Sequence, residues 1–215
     1  MIALIIGATG ATGKELINQI IQDDDFTEVH TFGRKPLEIE NFKLKNHVVD
    51  FDHPDEWKEL VKGDVAFSCL GTTLKAAGTK ENQYKIDVDY QFNFAQIAAK
   101  NGVRQFVLVS SYGADPKSKM FYPRMKGELE QKVKQLPFEQ ITYFQPGMLD
   151  RENSERFGER LGVKAINFLN GLGILKTYRP LPTATLAKAM INAAKIKSNG
   201  FSEIKMANIF NFANK

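Results

Sequence analysis

The sequence predicts an α/β fold: a doubly wound parallel sheet with helices on both faces. Apolar runs alternate along the chain with stretches of helical periodicity, a pattern typical of parallel strands joined by crossover helices. The first run, residues 2–6, is apolar throughout, as in a strand buried on both faces, and leads directly into the glycine-rich stretch 7–13. The chain of 215 residues has no repeats or linkers. It therefore fits one domain, 1–215, in which residues 146–215 complete the pocket.

The same patterns place the other elements in order. Apolar runs predict five further strands, over 29–32, 48–51, 65–70, 106–109 and 141–144. Helical periodicity predicts five helices, over about 14–21, 54–62, 90–100, 123–135 and 185–195. Pro54 suits a first helical turn, and Asn101 with Gly102 suits a helix end. The chain after Pro146 is less regular, and we expect it to supply a last strand.

The composition is typical of a soluble globular protein, with 43% hydrophobic and 25% charged residues. Because 29 basic and 25 acidic residues are mixed along the chain, we expect no nucleic-acid binding. The single cysteine, Cys69, excludes a disulfide framework and suits a reducing compartment. No signal peptide or membrane-spanning segment is predicted, so the expected location is cytoplasmic. His30, His47 and His53 lack the spacing of metal ligands, and no metal site is predicted.

The glycine-rich stretch after the first strand predicts a dinucleotide-binding site. Glycine lets the backbone approach a ligand closely, and the helix that follows presents free N–H groups to an anion such as a pyrophosphate. The spacing is G-x-x-G-x-x-G, whereas the usual fingerprint is G-x-G-x-x-G. A merely structural turn is the alternative. The position between a strand and a helix favours the dinucleotide site.

The end of the second predicted strand favours NADP(H) over NAD(H). NAD enzymes usually place Asp or Glu about 20 residues after the glycine loop to bind the ribose 2′-hydroxyl. Here Arg34 and Lys35 stand instead, and two cations would neutralise a 2′-phosphate. Two solvated surface charges are the alternative. Since ligands lie beyond the carboxyl ends of parallel strands, we expect Asp50 and Phe51 beside the adenine and residues 69–73 along the middle of the dinucleotide.

Tyr122 and Lys126 are the catalytic candidates. Four positions apart, they share a helix face, and they follow a strand that ends in Ser110 and Ser111. A free phenol has a pKa near ~10, and a neighbouring ammonium lowers that value towards neutral pH. Tyr122 would exchange a proton with the substrate oxygen during hydride transfer, while Lys126 tunes the phenol and holds ribose hydroxyls. Ser111 would bind the substrate oxygen. The alternative for Tyr122 is an aromatic residue that packs at the helix entry.

Several segments together resemble the atypical short-chain dehydrogenase/reductase superfamily, and within it the TIP30 (oxidoreductase HTATIP2-like) group. The segments that carry the resemblance are, in order, GATGATGKEL, TFGRK, VVDFD, CLGTT followed by KAAG, DVDY, VLVSSYGAD, YPRMKGELE and QPGMLDRENSER. The resemblance implies an NAD(P)-binding Rossmann fold, NADPH as the cofactor, a Ser–Tyr–Lys set and a reductase-like site whose substrate is often unknown.

The resemblance also implies roles for individual cofactor-binding residues. The phosphate loop would consist of Gly7, Thr9, Gly10, Ala11, Thr12 and Gly13. Arg34 would meet the 2′-phosphate, and Leu70 and Gly71 would line the cofactor. Pro146 to Leu149 would cover the nicotinamide. Arg156 corresponds to an arginine that reaches the cofactor in relatives, with an exposed helix start as the alternative.

Three departures from the family pattern concern the site. Gln145 stands where relatives commonly have Arg before Pro-Gly, which removes a cation near the pocket. Pro123 disfavours helical dihedral angles at the residue before it, so Tyr122 is predicted to cap its helix and not to lie within it. The spacing between Ser111 and Tyr122 is short for many reductases, which leaves Ser110 as the alternative hydroxyl.

Three functions from different classes fit these residues. The first is an NADPH-dependent oxidoreductase that acts on a small, unidentified carbonyl or alcohol substrate. The second is a non-catalytic NADPH-binding regulator, which has no need to retain both Tyr122 and Lys126. The third is a nucleotide-sugar epimerase or dehydratase, which normally carries a larger C-terminal substrate region. The apolar run 165–175 is interpreted as core packing, with a homodimer contact or a membrane-surface patch as alternatives.

Overall fold

The computed structural model describes residues 1–150, 180–196 and 198–214, and within them seven parallel strands form one sheet. These strands are β1 (Ile2–Ile6), β2 (Glu28–Gly33), β3 (Leu44–Val48), β4 (Val65–Ser68), β5 (Gln105–Val109), β6 (Gln140–Gln145) and β9 (Gly200–Lys205). Their order is β3-β2-β1-β4-β5-β6-β9. The direction of winding reverses between β1 and β4, and ligands bind at such a switch point in open α/β sheets.

Helices cover both faces of the sheet. They are α1 (Ala11–Ile20), α2 (Leu74–Ala77), α3 (Lys80–Tyr84), α4 (Tyr90–Lys100), α5 (Phe121–Lys134), α6 (Thr183–Lys195) and α7 (Asn208–Ala213). A π-helical segment, Lys85–Asp89, joins α3 to α4. A separate two-stranded pair consists of β7 (Leu149–Asp150) and β8 (Leu181–Pro182). No helix in the described ranges has the length and apolar character needed to cross a bilayer.

The core consists of two apolar layers, one on each face of the sheet. Ala3 and Ile5 of β1 pack with α1 and α6 on one face. Leu4 and Ile6 pack with α4 and α5 on the other. Because successive side chains of a strand point to opposite faces, the all-apolar run of β1 fills both layers. The predicted doubly wound parallel sheet is confirmed.

The region between β2 and β4 differs from the prediction. The third strand is Leu44–Val48 and not 48–51, and among the described strands it pairs with β2 alone. As an edge strand it is largely polar and exposed, so it lacks the apolar run of a buried strand. The helix expected over 54–62 is instead two 3₁₀ turns, Pro54–Glu56 and Lys58–Leu60.

The apolar residues that suggested the wrong strand, Val49 and Phe51, are buried in the loop after β3. The fourth strand ends at Ser68, before the predicted end at residue 70.

Acid is expected to destabilise the fold through His47. Its Nε2 lies 3.2 Å from Nδ1 of His30, and its ring stacks on Phe32 with centroids 4.9 Å apart. Burial, then the charges of His30 and Lys45, lower the pKa of His47 below its ordinary 6.5. The folded state therefore binds fewer protons than the unfolded state, and stability present above about pH 6.5 is lost as the pH falls through the folded pKa.

We expect His47→Gln to reduce the loss of stability between pH 6.5 and 5, measured by urea unfolding. The control is His53→Gln, because the His53 side chain is mostly exposed. If both variants keep the pH dependence of the wild type, His47 is not the responsible group.

Candidate functional site

The glycine loop between β1 and α1 is packed tightly against the end of β4. Gly7 has φ +78°, and a Cβ on it would lie 2.4 Å from the carbonyl carbon of Cys69. A Cβ on Gly13 would lie 2.1 Å from the carbonyl oxygen of Gly7. A Cβ on Gly10 would meet that same oxygen at 3.2 Å, and its φ of −75° is ordinary. Gly7 and Gly13 are thus needed for the fold itself, whereas Gly10 is not.

The tip of this loop is open to solvent and suited to an anion. Thr9, Gly10 and Ala11 are exposed, while Thr12 and Gly13 are buried below them. The first turn of α1 contains no acidic residue, and its N–H groups have no acceptor within the helix. Together with the helix dipole, these groups favour a phosphate at the loop.

A cavity of about 390 Å³ runs from the glycine loop to the end of β2. The lining includes Gly7 and Thr9 at one end and Arg34 and Lys35 at the other. Both cations are exposed, and neither forms an ion pair with a described residue. The structure therefore brings the glycine loop and the two cations to one cavity.

Asp50 and Phe51, the two residues expected beside the adenine, differ in whether they line the cavity. Phe51 lines the cavity and stacks on Tyr90, with ring centroids 5.2 Å apart. Asp50 does not line it: its carboxylate accepts the Asp52 N–H at 2.9 Å in a local turn.

The loop after β4 forms another wall of the cavity. Leu70 is among the lining residues, and Gly71 beside it is exposed. Burial around the thiol of Cys69, a residue partly exposed as a whole, raises the pKa of the thiol to about 12.

Tyr122 lies within the first turn of α5, so the prediction that it caps the helix is wrong. The helix begins at Phe121 with Met120 as the N-cap. Pro123 also falls in this first turn, where a missing N–H costs no helical hydrogen bond. Gly127 fixes the helix against the preceding loop, because a Cβ there would lie 2.3 Å from the nitrogen of Pro116.

Tyr122 and Lys126 lie together on α5. Nζ of Lys126 is 5.9 Å from the centroid of the Tyr122 ring. Tyr122 is 42% exposed, whereas Lys126 is only 3% exposed. The ring is thus accessible from outside, and the ammonium lies behind it.

Asp87 is the partner of Lys126, and the sequence reasoning missed it. Its Oδ1 lies 2.8 Å from Nζ, and both side chains are buried. Desolvation disfavours the charged lysine, but the attraction of Asp87 and Tyr122 and the hydrogen bond that the ammonium donates to Asp87 outweigh it. The pKa of Lys126 is therefore raised above its usual value. Asp87 is the first residue of the DVDY segment, but no spacing in the sequence relates it to Lys126.

The two serines after β5 have different surroundings. Ser110 is buried beside the carboxyl group of Glu130, without a hydrogen bond of good geometry. Ser111 is half-buried, and its Oγ donates a long hydrogen bond, 3.4 Å, to the carbonyl of Tyr112. Of the two hydroxyls, Ser111 is the accessible one.

Gln145 binds the same carboxyl group, since its Nε2 donates to Oε1 of Glu130 at 2.8 Å. Burial raises the pKa of Glu130, and the interactions with Ser110 and Gln145 offset this only in part. At position 145 this chain therefore has a neutral partner for a buried acid.

The chain after β6 lies beside the loop that follows β5. The carbonyl of Pro146 accepts the Tyr112 N–H at 2.9 Å, and Leu149 starts β7. Arg156 and the apolar run 165–175 lie outside the described residues, as does any role predicted for them. Among the residues that are described, no cluster of His, Cys, Asp or Glu could hold a metal ion.

Comparison with known proteins identifies the family. An NAD(P)H-binding family matches residues 7–171. Protein HTATIP2 of Rattus norvegicus is 37% identical over 206 residues, which cover 93% of this chain and 84% of the relative. The resemblance seen in the sequence segments is thereby confirmed.

A second group of relatives corrects the expected cytoplasmic location. The FMP52 protein of Saccharomyces cerevisiae, named as mitochondrial, is 36% identical over 74% of this chain and 71% of its own length. The Emericella nidulans relative, also named as mitochondrial, is 34% identical over 91% of this chain and 88% of its own length. The expectation came from the lack of a predicted signal peptide or membrane span and from the single cysteine, but neither feature distinguishes the cytoplasm from other reducing compartments. The prediction of a cytoplasmic location is wrong.

Solved structures share the fold at low sequence identity. MoeE5 in complex with UDP-glucose and NAD superposes with a TM-score of 0.72 at 14% identity, over 96% of this chain and 76% of that one. A short-chain dehydrogenase/reductase superfamily protein from Agrobacterium tumefaciens with bound NAD gives 0.69 at 15% identity, over 96% and 77%. The chain therefore belongs to the NAD(P)H-binding family, is similar to protein HTATIP2 and has a Rossmann fold.

Proposed function

We propose that this protein is an NADP(H)-dependent oxidoreductase that transfers a hydride between the nicotinamide and a small carbonyl or alcohol substrate. One observation carries the proposal: an accessible tyrosine and a buried, charged lysine lie together on α5. A protein that only binds the nucleotide needs the loop and the cavity, but it has no use for a proton donor with an ammonium behind it.

The cofactor fits the residues of this chain. The glycine loop would hold the pyrophosphate, and Arg34 and Lys35 the 2′-phosphate. Phe51 would lie beside the adenine, and Leu70 along the middle of the dinucleotide. When bound, the nicotinamide supplies or accepts the hydride. Pro146 and Leu149, which follow β6, would cover that end of the site.

The chain's own residues would move the proton. Tyr122 donates its phenolic proton to the carbonyl oxygen in the reducing direction and takes it back in the other. The Lys126 ammonium stabilises the negative charge that develops on the phenol oxygen. An ammonium has three donors, so two remain for ribose hydroxyls after the one given to Asp87. Ser111, as the accessible serine hydroxyl, would bind the substrate oxygen.

The cofactor preference is tested by calorimetric titration of the purified protein. We expect NADPH to bind at least ~tenfold more tightly than NADH, a difference of about 1.4 kcal/mol. Arg34→Ala should reduce the difference by weakening NADPH binding, because the planar guanidinium no longer meets the 2′-phosphate.

The matched control for Arg34→Ala is Arg104→Ala. Arg104 is also exposed, but it lies near Asp64 at the opposite edge of the sheet, beyond the amino ends of the strands. This variant should leave both affinities unchanged. Equal affinities of the wild type for NADPH and NADH would contradict the assignment of Arg34.

A further inference from the structure

Asp87 uses both of its carboxylate oxygens in the buried interior. Oδ1 forms the 2.8 Å ion pair with Nζ of Lys126. Oδ2 accepts the backbone N–H of Thr72 at 2.8 Å. Thr72 belongs to the loop after β4, whose Leu70 lines the cavity that extends from the glycine loop. One carboxylate therefore contacts both the lysine of α5 and a wall of the nucleotide cavity.

Buried hydrogen bonds also fix the backbone around Asp87. The residue lies in the π-helical segment Lys85–Asp89, and such segments often occur at functional sites. Its carbonyl accepts Nε2 of Gln91 at 2.7 Å, and Oε1 of Gln91 accepts the Ser68 hydroxyl at 2.7 Å. This chain of buried hydrogen bonds ties Asp87 to the last residue of β4.

We propose that Asp87 is a positioning residue that keeps Lys126 charged and fixed beside Tyr122 and holds the loop after β4 at the same point. Stability alone does not explain the pair, because an apolar pair of similar volume is often as stable as a buried ion pair. Without a counter-ion, a lysine buried to this extent has a lowered pKa and loses its charge at a lower pH. It would then lose both its effect on the phenol and a donor for the ribose.

Few charged or titratable groups face Lys126. Tyr122 and Glu130 lie on its own helix, and Asp87 is supplied by the π-helical segment packed against it. Within the described part of the chain, Asp87 is the only carboxylate paired with the ammonium. Its removal is therefore expected to shift the titration of Lys126 more than the removal of either neighbour on α5.

The first test needs no ligand. In Asp87→Asn the buried lysine loses its partner, and its folded pKa falls below the unfolded value of about 10.4. Between these two values the unfolded state binds more protons than the folded state, so the stability of this variant rises with pH. We expect its urea midpoint to rise between pH 7 and pH 9.5 relative to the wild type. Asp89→Asn, in the same segment, is the control, and its urea midpoint should change with pH as that of the wild type does.

The double variant Asp87→Asn/Lys126→Met identifies the titrating group. It removes both charges, so it should fold and should lose the added pH dependence. A single variant that does not fold beside a double variant that does would also support the pair, because an uncompensated buried charge is strongly destabilising. Failure of the double variant to fold would overturn the proposal, since the pair would then be needed for the structure itself. The proposal would also be overturned if the urea midpoint of Asp87→Asn changed with pH in the same way as that of the wild type.

The second test rests on the proposed function. We expect Asp87→Asn to bind NADPH at least ~tenfold more weakly at pH 9 than at pH 7, after correction for the wild-type change. Lys126→Met should bind weakly at both pH values. If the stability effect is found but the wild type binds no NADPH, the proposed function fails and the role of Asp87 towards Lys126 holds. If NADPH binds but no pH effect appears in either test, the role of Asp87 is wrong.

Discussion

Replacing Gly10 with valine is expected to abolish the binding of NADPH and NADH while the fold persists. Among the described residues, a Cβ at this position meets only the carbonyl oxygens of Gly7 at 3.2 Å and Cys69 at 3.9 Å. The branched side chain would therefore occupy the open side of the loop, where the pyrophosphate must lie. Since glycine is preferred to valine at an N-cap, the cost to stability should be about 1 kcal/mol. Calorimetric titration and thermal unfolding measure the two effects separately.

The contrasting variant is Gly13→Ala. Its Cβ would lie 2.1 Å from the carbonyl oxygen of Gly7, so a single methyl group should lower the unfolding temperature markedly. Together the two variants separate loss of the ligand from loss of the fold. A Gly10→Val protein that unfolds like the wild type and still binds NADPH with unchanged affinity would show that the nucleotide lies elsewhere.

Tyr122→Phe should lower the rate of carbonyl reduction by roughly 10² or more, the effect of losing a general acid. NADPH affinity should stay within a few-fold, because a ring of nearly the same shape remains on α5. A panel of aldehydes, ketones and quinones, followed by NADPH absorbance, provides the substrates. Tyr112→Phe is the matched control, because Tyr112 is an exposed tyrosine in the loop before α5 and belongs to no proposed role.

The outcome of this panel also distinguishes the enzyme from the regulator. Turnover by Tyr122→Phe at the wild-type rate would contradict the proton-transfer role. If no carbonyl in a broad panel is reduced, and NADPH instead alters the binding of a protein partner, the non-catalytic NADPH-binding regulator is the better account. The lysine provides a further check, since Lys126→Ala should weaken both cofactor binding and turnover.

The sequence predicted the fold best where a residue is buried on both sides. The all-apolar run of β1 has one interpretation, because only a central parallel strand needs apolar residues on both faces. The edge strand β3 was misplaced by four residues at its start, because one free edge and an exposed surface remove that requirement. Val49 and Phe51, which lie in the loop, are more apolar than the residues of β3, so the pattern indicated a strand at the wrong place.

The site was predictable where the chemistry is local and not where it joins distant segments. Tyr122 and Lys126 share one helix face, so their spacing alone placed them together. Asp87 lies far from Lys126 in the chain and meets it only because a π-helical segment packs against α5. Spacing rules describe regular helices and strands, so they do not predict a contact of this kind.

The buried thiol of Cys69 makes this chain suited to site-specific labelling. The reactive species of a cysteine is the thiolate, and with a pKa of about 12 almost none is present at neutral pH. Since the chain contains no other cysteine, a maleimide dye should react with an introduced cysteine alone, with no need to remove the natural one. Fluorophores placed on the exposed surface beside α1 and α5 would then report how the distance between these helices changes as a nucleotide is added.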